Sequence, residues 1–445
     1  MRLALAALLS ASLVACTDQG GPSTRQVRVT EGDGQVARIG TLLPDPVAVT
    51  VVDEAGQPLR GERVQWRTND GGLIAPFNTI TDENGMSRAR WILGSMEGVR
   101  TATVSLSGAE PAVITAIAES PDALPFDLPA VLDIPTYDGS GQLVHPDYAA
   151  TPQGAFATTN HLVITPYPGG DAKFENPSVF FSEARLDLWA LGAGAPNPVI
   201  RAQAGYLSDP DLVYEPDSKE LWLYYRQVAG DNVVLLLRSA DGTHWGVPVE
   251  VARAPNHDLV SPSVVRRAAG DWWMWSVRSG TSGCGASSTT VELRRSADGV
   301  LWSDPEPTDL SAGELWPWHI DVEWIPGRNE FWAVYNAKTD KGCTTPAVFI
   351  ATSADGITWQ MTERPVIVKG RIPEFQDIVY RTSFAYDPLT DAVTFWYSGA
   401  KFQSGSYVWS AAVERRHRSE LFLGLSQIED GTLLSPPPAP LTDWP

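Results

Sequence analysis

Alternation of apolar and polar residues runs through most of the chain and predicts strands along most of its length. In residues 26–119, short β-branched segments alternate with clusters of turn residues. Val64-Gln65-Trp66-Arg67 has the period of two that is typical of a half-buried strand. About seven such segments fit into this stretch, which predicts a β-sandwich.

A repeat dominates the rest of the chain. Three copies of Ser-Ala-Asp-Gly, each followed three residues later by Trp, begin at Ser239, Ser296 and Ser353, at intervals of 57 residues. Asp-Gly favours a tight turn between strands, and the Ser and Asp side chains can bond the turn amides. Equal spacing predicts sheets repeated around an axis. The aspartates of this repeat are therefore expected to be structural.

A second, polar motif marks the start of five repeats, at intervals of 64, 52, 58 and 62 residues. Side chains at positions i and i+2 of a strand point the same way. One wall of a central funnel would then carry the pairs His145/Asp147, Asp209/Asp211, Ser261/Ser263, His319/Asp321 and Arg381/Ser383. Polar strands could simply bind buried water along the axis. So many charged groups favour a functional site instead.

Composition narrows the function. The 445 residues include 33 Lys and Arg against 53 Asp and Glu, a formal net charge of −20. Nucleic acid is not expected as a partner, because a phosphate backbone needs clustered cations. The sequence contains no HExxH, P-loop or GxGxxG motif and no Ser-His-Asp signature.

The first residues predict export. Residues 1–16 contain one Arg, an apolar run too short to span a bilayer, and small residues before Cys16. Leu13-Val14-Ala15-Cys16 resembles the bacterial lipobox, which implies lipidation of Cys16, a tether at 17–25 and attachment to the cell envelope. The alternative is an ordinary signal peptide with a nearby cysteine. In that oxidising compartment, Cys284 and Cys343 are expected to form a disulfide.

Residues 26–119 resemble the bacterial Ig-like domain of invasin and intimin, on the segments at 52–58, 64–66, 81–85 and 91–94. That resemblance implies a spacer rather than an adhesin. The proline-containing stretch 120–135 is expected to be a linker, and the proline-rich stretch 431–445 a tail.

The Ser-Ala-Asp-Gly repeats resemble the Asp boxes of sialidase-like β-propellers. Ser208-Asp209-Pro210-Asp211-Leu212 is similar to the inner-strand motif of five-bladed glycoside hydrolases such as arabinanases, xylosidases and invertases. The implied fold class is all-β, with the Ig-like sandwich followed by a five-bladed β-propeller at 136–430. His145 stands where those families have Asp, and Val260-Ser261-Pro262 replaces their Glu-Gly-Pro acid motif.

Glycoside cleavage needs a carboxylic acid and a second carboxylate. We expect Asp209 to be the base or nucleophile, with Glu175, Asp321 and Glu374 as candidates for the acid. Aromatic side chains near the strand entrances could stack on sugar rings, and Arg381 could bind a sugar carboxylate. The predicted substrate-binding residues are His145, Asp147, Asp211, Ser261, Trp316, Trp318, His319, Tyr380 and Arg381, and Tyr167 is a further stacking candidate.

The leading hypothesis is a surface-anchored glycoside hydrolase that acts as a monomer on a poly- or oligosaccharide. The alternative is a non-catalytic glycan-binding or adhesion lipoprotein. No cofactor is required. A structural Ca²⁺ in the channel is conceivable, because the funnel supplies N and O ligands from His145, Asp147, Asp209, Asp211, His319 and Asp321.

Overall fold

The computed structural model describes residues 25–69, 72–94, 96–120, 124, 128–183, 186–311, 315–338, 344–362, 364–422, 428–429 and 432–433. The predicted leader with Cys16, most of the predicted tail, and Cys343 lie outside these residues. The chain divides into two compact units, Met1–Pro121 and Asp122–Pro445. No helix among the described residues has the length and apolar character needed to cross a membrane.

The first unit consists of strands joined by turns. Their bounds are β1 Gln26–Glu31, β2 Gln35–Arg38, β3 Val47–Val52, β4 Arg63–Thr68, β5 Leu73–Ala75, β6 Asn78–Ile80, β7 Met86–Ile92, β8 Gly98–Ser105 and β9 Ala112–Glu119.

Two sheets build this unit, in the orders β1-β3-β7-β5 and β2-β9-β8-β4-β6. Buried and exposed residues alternate in β4 and β7, whereas β3 is buried along most of its length. The buried side chains of both sheets, with Val49, Trp66, Trp91 and Ile114 among them, form one apolar cluster. The first unit is therefore all-β, with two sheets that share one apolar core.

The second unit is also built from strands. Their bounds are β10 Ala130–Val131, β11 Leu143–Ala150, β12 Asn160–Pro166, β13 Ser178–Ser182, β14 Tyr206–Glu215, β15 Glu220–Ala229, β16 Asp231–Ser239, β17 Val249–Ala254, β18 Val260–Ala268, β19 Asp271–Arg278, β20 Thr290–Ser296, β21 Glu306–Pro307, β22 Trp316–Ile325, β23 Glu330–Lys338, β24 Ala347–Ser353, β25 Gln360–Met361, β26 Ile367–Val368, β27 Ile378–Asp387, β28 Ala392–Gln403, β29 Ser406–His417, β30 Ile428–Glu429 and β31 Thr432–Leu433. Its helices are single turns: 3₁₀ segments Pro168–Gly170, Ala172–Phe174, Gly280–Gly285 and Pro373–Phe375, and α1 Arg418–Leu421.

Apart from the short hairpin β30-β31, the described strands of this unit form five antiparallel sheets. Their orders are β11-β12-β13, β14-β15-β16-β17, β18-β19-β20-β21, β22-β23-β24-β25 with β26 on β24, and β10-β29-β28-β27. The first strands β11, β14, β18, β22 and β27 contact one another in that order, and β27 contacts β11. These five strands, which contain the five polar motifs, therefore close a ring.

Apolar side chains fill the spaces between neighbouring sheets. One cluster, for example, joins Val163 and Val179 of the first sheet to Leu223 and Leu237 of the second. Corresponding clusters join each remaining pair of neighbours. The ring therefore has five separate cores and a polar axis.

The expected linker at 120–135 differs from the structure. Ala130–Val131 forms β10, which pairs with Ala412 and Val413 of β29 and so completes the last sheet. Leu132 and Ile134 are buried beside it. The pairing is only two residues long and its partner is remote in sequence, so no alternation at these positions indicated a strand.

The three repeated turns have the predicted bonding. Ser239, Ser296 and Ser353 each accept the amide of the glycine three residues later. Each aspartate accepts the amides of the residues two and three positions later, which for Asp241 are Thr243 and His244. Positive φ angles of 76°, 69° and 72° at Gly242, Gly299 and Gly356 suit residues without a Cβ.

Candidate functional site

Three first strands bring His145, Asp209 and His319 together on the axis of the ring. One ligand atom of each lies within 4.8 Å of the others, and all three residues are buried. Each first strand has an irregularity in its pairing at this level. His145 and Asp209 have positive φ angles of 53° and 49°. Such bulges turn a side chain away from the ordinary alternation, at a cost in backbone strain.

Asp209 is held from two sides. Its Oδ2 lies 2.8 Å from Nε of Arg226 on β15. Its Oδ1 lies 3.2 Å from Nδ1 of His319 and 3.4 Å from Nε2 of His145. Burial alone would raise the pKa of Asp209, but Arg226 and the two imidazoles hold it well below its usual value.

Burial lowers the pKa of both His145 and His319, against the opposing pull of Asp209. Nδ1 of His145 lies 3.0 Å from Oγ1 of Thr165, so its Nε2 faces Asp209. Among the buried atoms without a hydrogen-bond partner are Nε2 of His145, Oδ1 of Asp209 and both ring nitrogens of His319. Neutral imidazole nitrogens beside a carboxylate oxygen suit a divalent metal ion.

Glu175 reaches the same site from the loop after the 3₁₀ turn Ala172–Phe174. Its Oε2 has no hydrogen-bond partner and lies 3.5 Å from Nδ1 of His145. Burial, helped by the charge of Asp209, raises the pKa of Glu175 well above its usual value. Asn176, which bonds the Tyr137 hydroxyl and the amide of Ala202, fixes this loop.

Aromatic rings cover the cluster. The ring of Tyr380 lies 4.5 Å from that of His319, and its hydroxyl accepts a hydrogen bond from Nε1 of Trp318 at 3.2 Å. Trp409 packs between Tyr167 and Tyr380, with ring centroids 5.1 and 5.2 Å away. Burial raises the pKa of Tyr380, so it keeps its proton. Three of the predicted stacking residues thus stand beside the cluster.

A second group of carboxylates lies one step further along the same strands. Asp147, Asp211 and Asp321 also place an oxygen each within 4.8 Å of the others. Asp147, Asp211 and Asp321 accept the amides of Leu212, Val264 and Phe384 on the next first strand. These three aspartates therefore fasten the ring, and they lie in a layer separate from Asp209.

Arg381 stands between the two groups. It is fully buried, with guanidinium nitrogens 3.6 Å from Asp147 and 3.9 Å from both Asp209 and Asp211. We expected this arginine to bind a sugar carboxylate, but in the structure its charge faces the protein's own carboxylates. Ser261, another expected substrate contact, instead bonds both the carbonyl and the amide of Ile320.

The remaining predicted residues are placed less centrally. Asp321 belongs to the second group, where burial raises its pKa to about 6. Glu374 lies half-buried on the 3₁₀ turn Pro373–Phe375, and among the described residues no hydrogen bond or ion pair joins it to Asp209. Trp316 begins β22 and is half-buried. Cys284 lies in Gly280–Gly285, and its pairing with Cys343 stays a prediction.

Sequence reasoning missed Arg226, Thr165 and Trp409. Arg226 ends the apolar run Leu221-Trp222-Leu223-Tyr224-Tyr225 of β15, where a charged residue that is nevertheless buried signals a partner. Thr165 and Trp409 carry no comparable signal, because only the strand register brings them to His145 and Tyr380.

Comparison with known proteins gives a carbohydrate-active context. No family model matches the chain. The chain is 26% identical over 337 residues to the A type blood N-acetyl-alpha-D-galactosamine deacetylase of Flavonifractor plautii, and the match covers 63% of this chain and 44% of that protein. The chain therefore spans less than half the length of this relative.

Solved structures support the fold. An N-acetylgalactosamine deacetylase from F. plautii, in complex with blood group B trisaccharide, matches with a TM-score of 0.61 and 22% identity, over 67% of this chain and 97% of that one. A Penicillium chrysogenum alpha-L-arabinanase matches with a TM-score of 0.40 and 12% identity, over 61% and 93% of the two chains, which is too low to support an inference. The chain thus shares its all-β fold with a protein that acts on carbohydrate.

Proposed function

We propose that this protein is a glycan-modifying hydrolase that removes the N-acetyl group from an amino sugar. One observation carries the proposal: two imidazoles and a carboxylate, buried and with unpartnered donor atoms, converge from three first strands. A relative named as an N-acetylgalactosamine deacetylase supports the choice of reaction.

His145, Asp209 and His319 are the residues that would hold a divalent metal ion. Two nitrogens and one oxygen leave coordination positions for water and substrate, as catalytic metal sites do. Such an ion, when bound, polarises a carbonyl and lowers the pKa of water. Arg226 and Thr165 orient the ligands from behind, which is the role that outer partners have at metal sites.

Glu175 and Tyr380 are the proposed catalytic groups. The unpartnered Oε2 of Glu175 beside His145 can take a proton from the attacking water and return it to the leaving amine. The Tyr380 hydroxyl, which accepts from Trp318, has its own proton left to donate to the acyl oxygen. Tyr167 and Trp409 offer ring faces to the sugar.

Glycosidic cleavage is the second candidate. Glu175 and Asp209 approach His145 from its two ring nitrogens, so two carboxyl groups do share the site. Both oxygens of Asp209, however, already face cations or imidazoles, which leaves little freedom for a nucleophile or base. This favours deacetylation.

The test incubates the full chain, purified in detergent, with oligosaccharides that contain N-acetylgalactosamine or N-acetylglucosamine, while acetate and reducing ends are both counted. Acetate without new reducing ends, abolished in Glu175→Gln and retained in the control Glu374→Gln, is the expected result. New reducing ends would establish a glycosidase instead. Retention of a glycan without either product would establish a binding protein.

The finer architecture belongs to the same proposal. The closed ring of five first strands supports a five-bladed β-propeller, and the repeated turns support Asp boxes. The two-sheet first unit supports an Ig-like spacer. Lipidation of Cys16 would place this monomeric enzyme at a bacterial envelope, and a Cys16→Ser variant that still partitions into membranes would contradict that placement.

A further inference from the structure

A cavity opens at the far end of the ring. The proposed metal ligands His145, Asp209 and His319 come early in their strands, whereas this cavity, of about 590 Å³, is lined by residues that come later. Its floor contains Asp147, Asp211 and Asp321, and its walls include Glu323 and Trp324. It therefore lies on the other side of the three-aspartate layer from the histidine cluster.

The three aspartates are poorly compensated. One oxygen of Asp147 and one of Asp211 accept backbone amides, and the second oxygens lie 3.6 and 3.9 Å from a guanidinium nitrogen of Arg381. Among the residues that the structure describes, Arg381 is the cation within 4 Å of these two, and it also faces Asp209. Arg266, at the cavity wall, is paired with Glu215 and Asp217.

Glu323 adds a fourth carboxylate to the same cavity. Buried carboxylates in such proximity repel unless a cation or protons compensate them. Arg266 and Arg267 also line the cavity, but they pair with Glu215, Asp217 and Asp271, and no described ion pair involves Asp321 or Glu323.

An independent observation concerns the fifth member of the ring. Four side chains of this layer each accept a backbone amide from the next first strand: Asp147, Asp211, Ser263 and Asp321. In each case the amide belongs to the residue just after the member of the layer on that next strand. By that pattern Ser383, which precedes Phe384, is the fifth member. Ser383 is 1% exposed, and its Oγ has no hydrogen-bond partner among the described residues. The Ser383 hydroxyl is thus an oxygen donor of this layer that does not bond the next strand.

The geometry points to a Ca²⁺ site formed by Asp147, Asp211 and Asp321, open to the far cavity. All available donors are oxygens, which hard cations prefer, whereas the histidine cluster offers nitrogen. The cavity gives the ion access and room for its remaining water ligands. This site does not depend on the proposed activity: it would stabilise the ring whether or not the protein is an enzyme.

Terbium is a suitable probe, because it occupies Ca²⁺ sites and is sensitised by nearby aromatic rings; Trp324 and Tyr148 line the cavity. The chelator-treated full chain is titrated with Tb³⁺ and then with Ca²⁺ or Zn²⁺, alongside Asp321→Asn and His319→Ala variants. In the unsubstituted chain we expect sensitised Tb³⁺ emission that is lost when Ca²⁺ displaces the Tb³⁺ and is unchanged by Zn²⁺. The emission should persist in His319→Ala and fall at least tenfold in Asp321→Asn.

Two results would overturn the site. One is the absence of Ca²⁺-displaceable emission in the unsubstituted chain, which needs no variant to fold. The other is emission that disappears in His319→Ala but persists in Asp321→Asn, since the ion would then belong to the histidine cluster. Loss of acetate release in His319→Ala, with emission unchanged, would separate the two sites.

Discussion

Arg226 is a buried cation that contacts Asp209 through its Nε and holds that carboxylate in place. Its Nε and one terminal nitrogen also bond Oγ of Ser208, and its other terminal nitrogen bonds Oδ1 of Asn232. The guanidinium is thus fixed in place, and it turns Oδ1 of Asp209 toward the imidazoles. Its role in the proposed site is to orient a ligand.

We expect Arg226→Gln to weaken divalent-ion binding at the histidine cluster about 10- to 100-fold, the range typical for lost outer partners of metal ligands. Titration calorimetry with Zn²⁺ or Mn²⁺ measures this. The control is Arg294→Gln, which removes a buried arginine bonded to Ser276 in the next sheet. Equal affinities in the two variants would contradict an orienting role.

His161 is a buried histidine outside the site, and it makes stability depend on pH. Its ring packs between Phe156 and Phe181 and its Nε2 lies 3.1 Å from Oγ1 of Thr151. Burial lowers its pKa from 6.5 to about 4. Between these values the unfolded chain binds a proton that the folded chain does not, so stability falls as the pH falls.

This linkage contributes about 3 kcal/mol to the free energy of unfolding. The contribution is fully present above pH 6.5 and is lost by about pH 4. Urea unfolding of the chain and of His161→Gln at several pH values measures it. The free-energy difference between the two should shrink as the pH falls through this window. A difference that is independent of pH would contradict the assignment.

Sequence reasoning did not resolve the layers in which the candidate site residues lie. His145 and Asp147 were expected on one wall, but the bulge places them in two groups with different partners. Pro146, Pro210 and Pro262 carried the signal, because proline lacks the amide of a regular ladder and sits at bulges. The partners of Asp209 required the register of β14 on β15, which sequence does not supply.

At the level of elements, the unexpected strand is β10. Its pairing with β29 closes the last sheet, and Leu132 follows it with its amide bonded to the carbonyl of Ala411. Sequence reasoning identified the repeats through their polar motifs and Trp turns. It missed this strand because a two-residue pairing leaves almost no pattern.

Truncating Leu132 tests the closure. Leu132 is 5% exposed and packs among Leu143 and Trp396, whereas Leu128 is 62% exposed. Leu132→Ala should lower the free energy of unfolding of the second unit by about 2–4 kcal/mol, the usual cost of such a cavity. Leu128→Ala, measured by the same denaturant titration, should change it by less than about 0.5 kcal/mol. Similar values for both would contradict a closing role.

At the level of the whole molecule, each unit has its own apolar cores. Calorimetry of the full chain should therefore show two thermal transitions. Ca²⁺ should raise the transition of the second unit alone, because the carboxylate ring lies there. Val64→Ala, in the core of the first unit, should lower the other transition and so identify it. One transition, or a Ca²⁺ shift in both, would contradict this.

The closing strand also sets an order of events during synthesis. Ala130 pairs with Val413, so the ring cannot be completed until nearly the whole chain has left the ribosome. The first unit has all its partners by Glu119 and can fold much sooner. A polypeptide made in this order keeps its larger part incomplete until Ala412 and Val413 have emerged, so the second unit folds after the first.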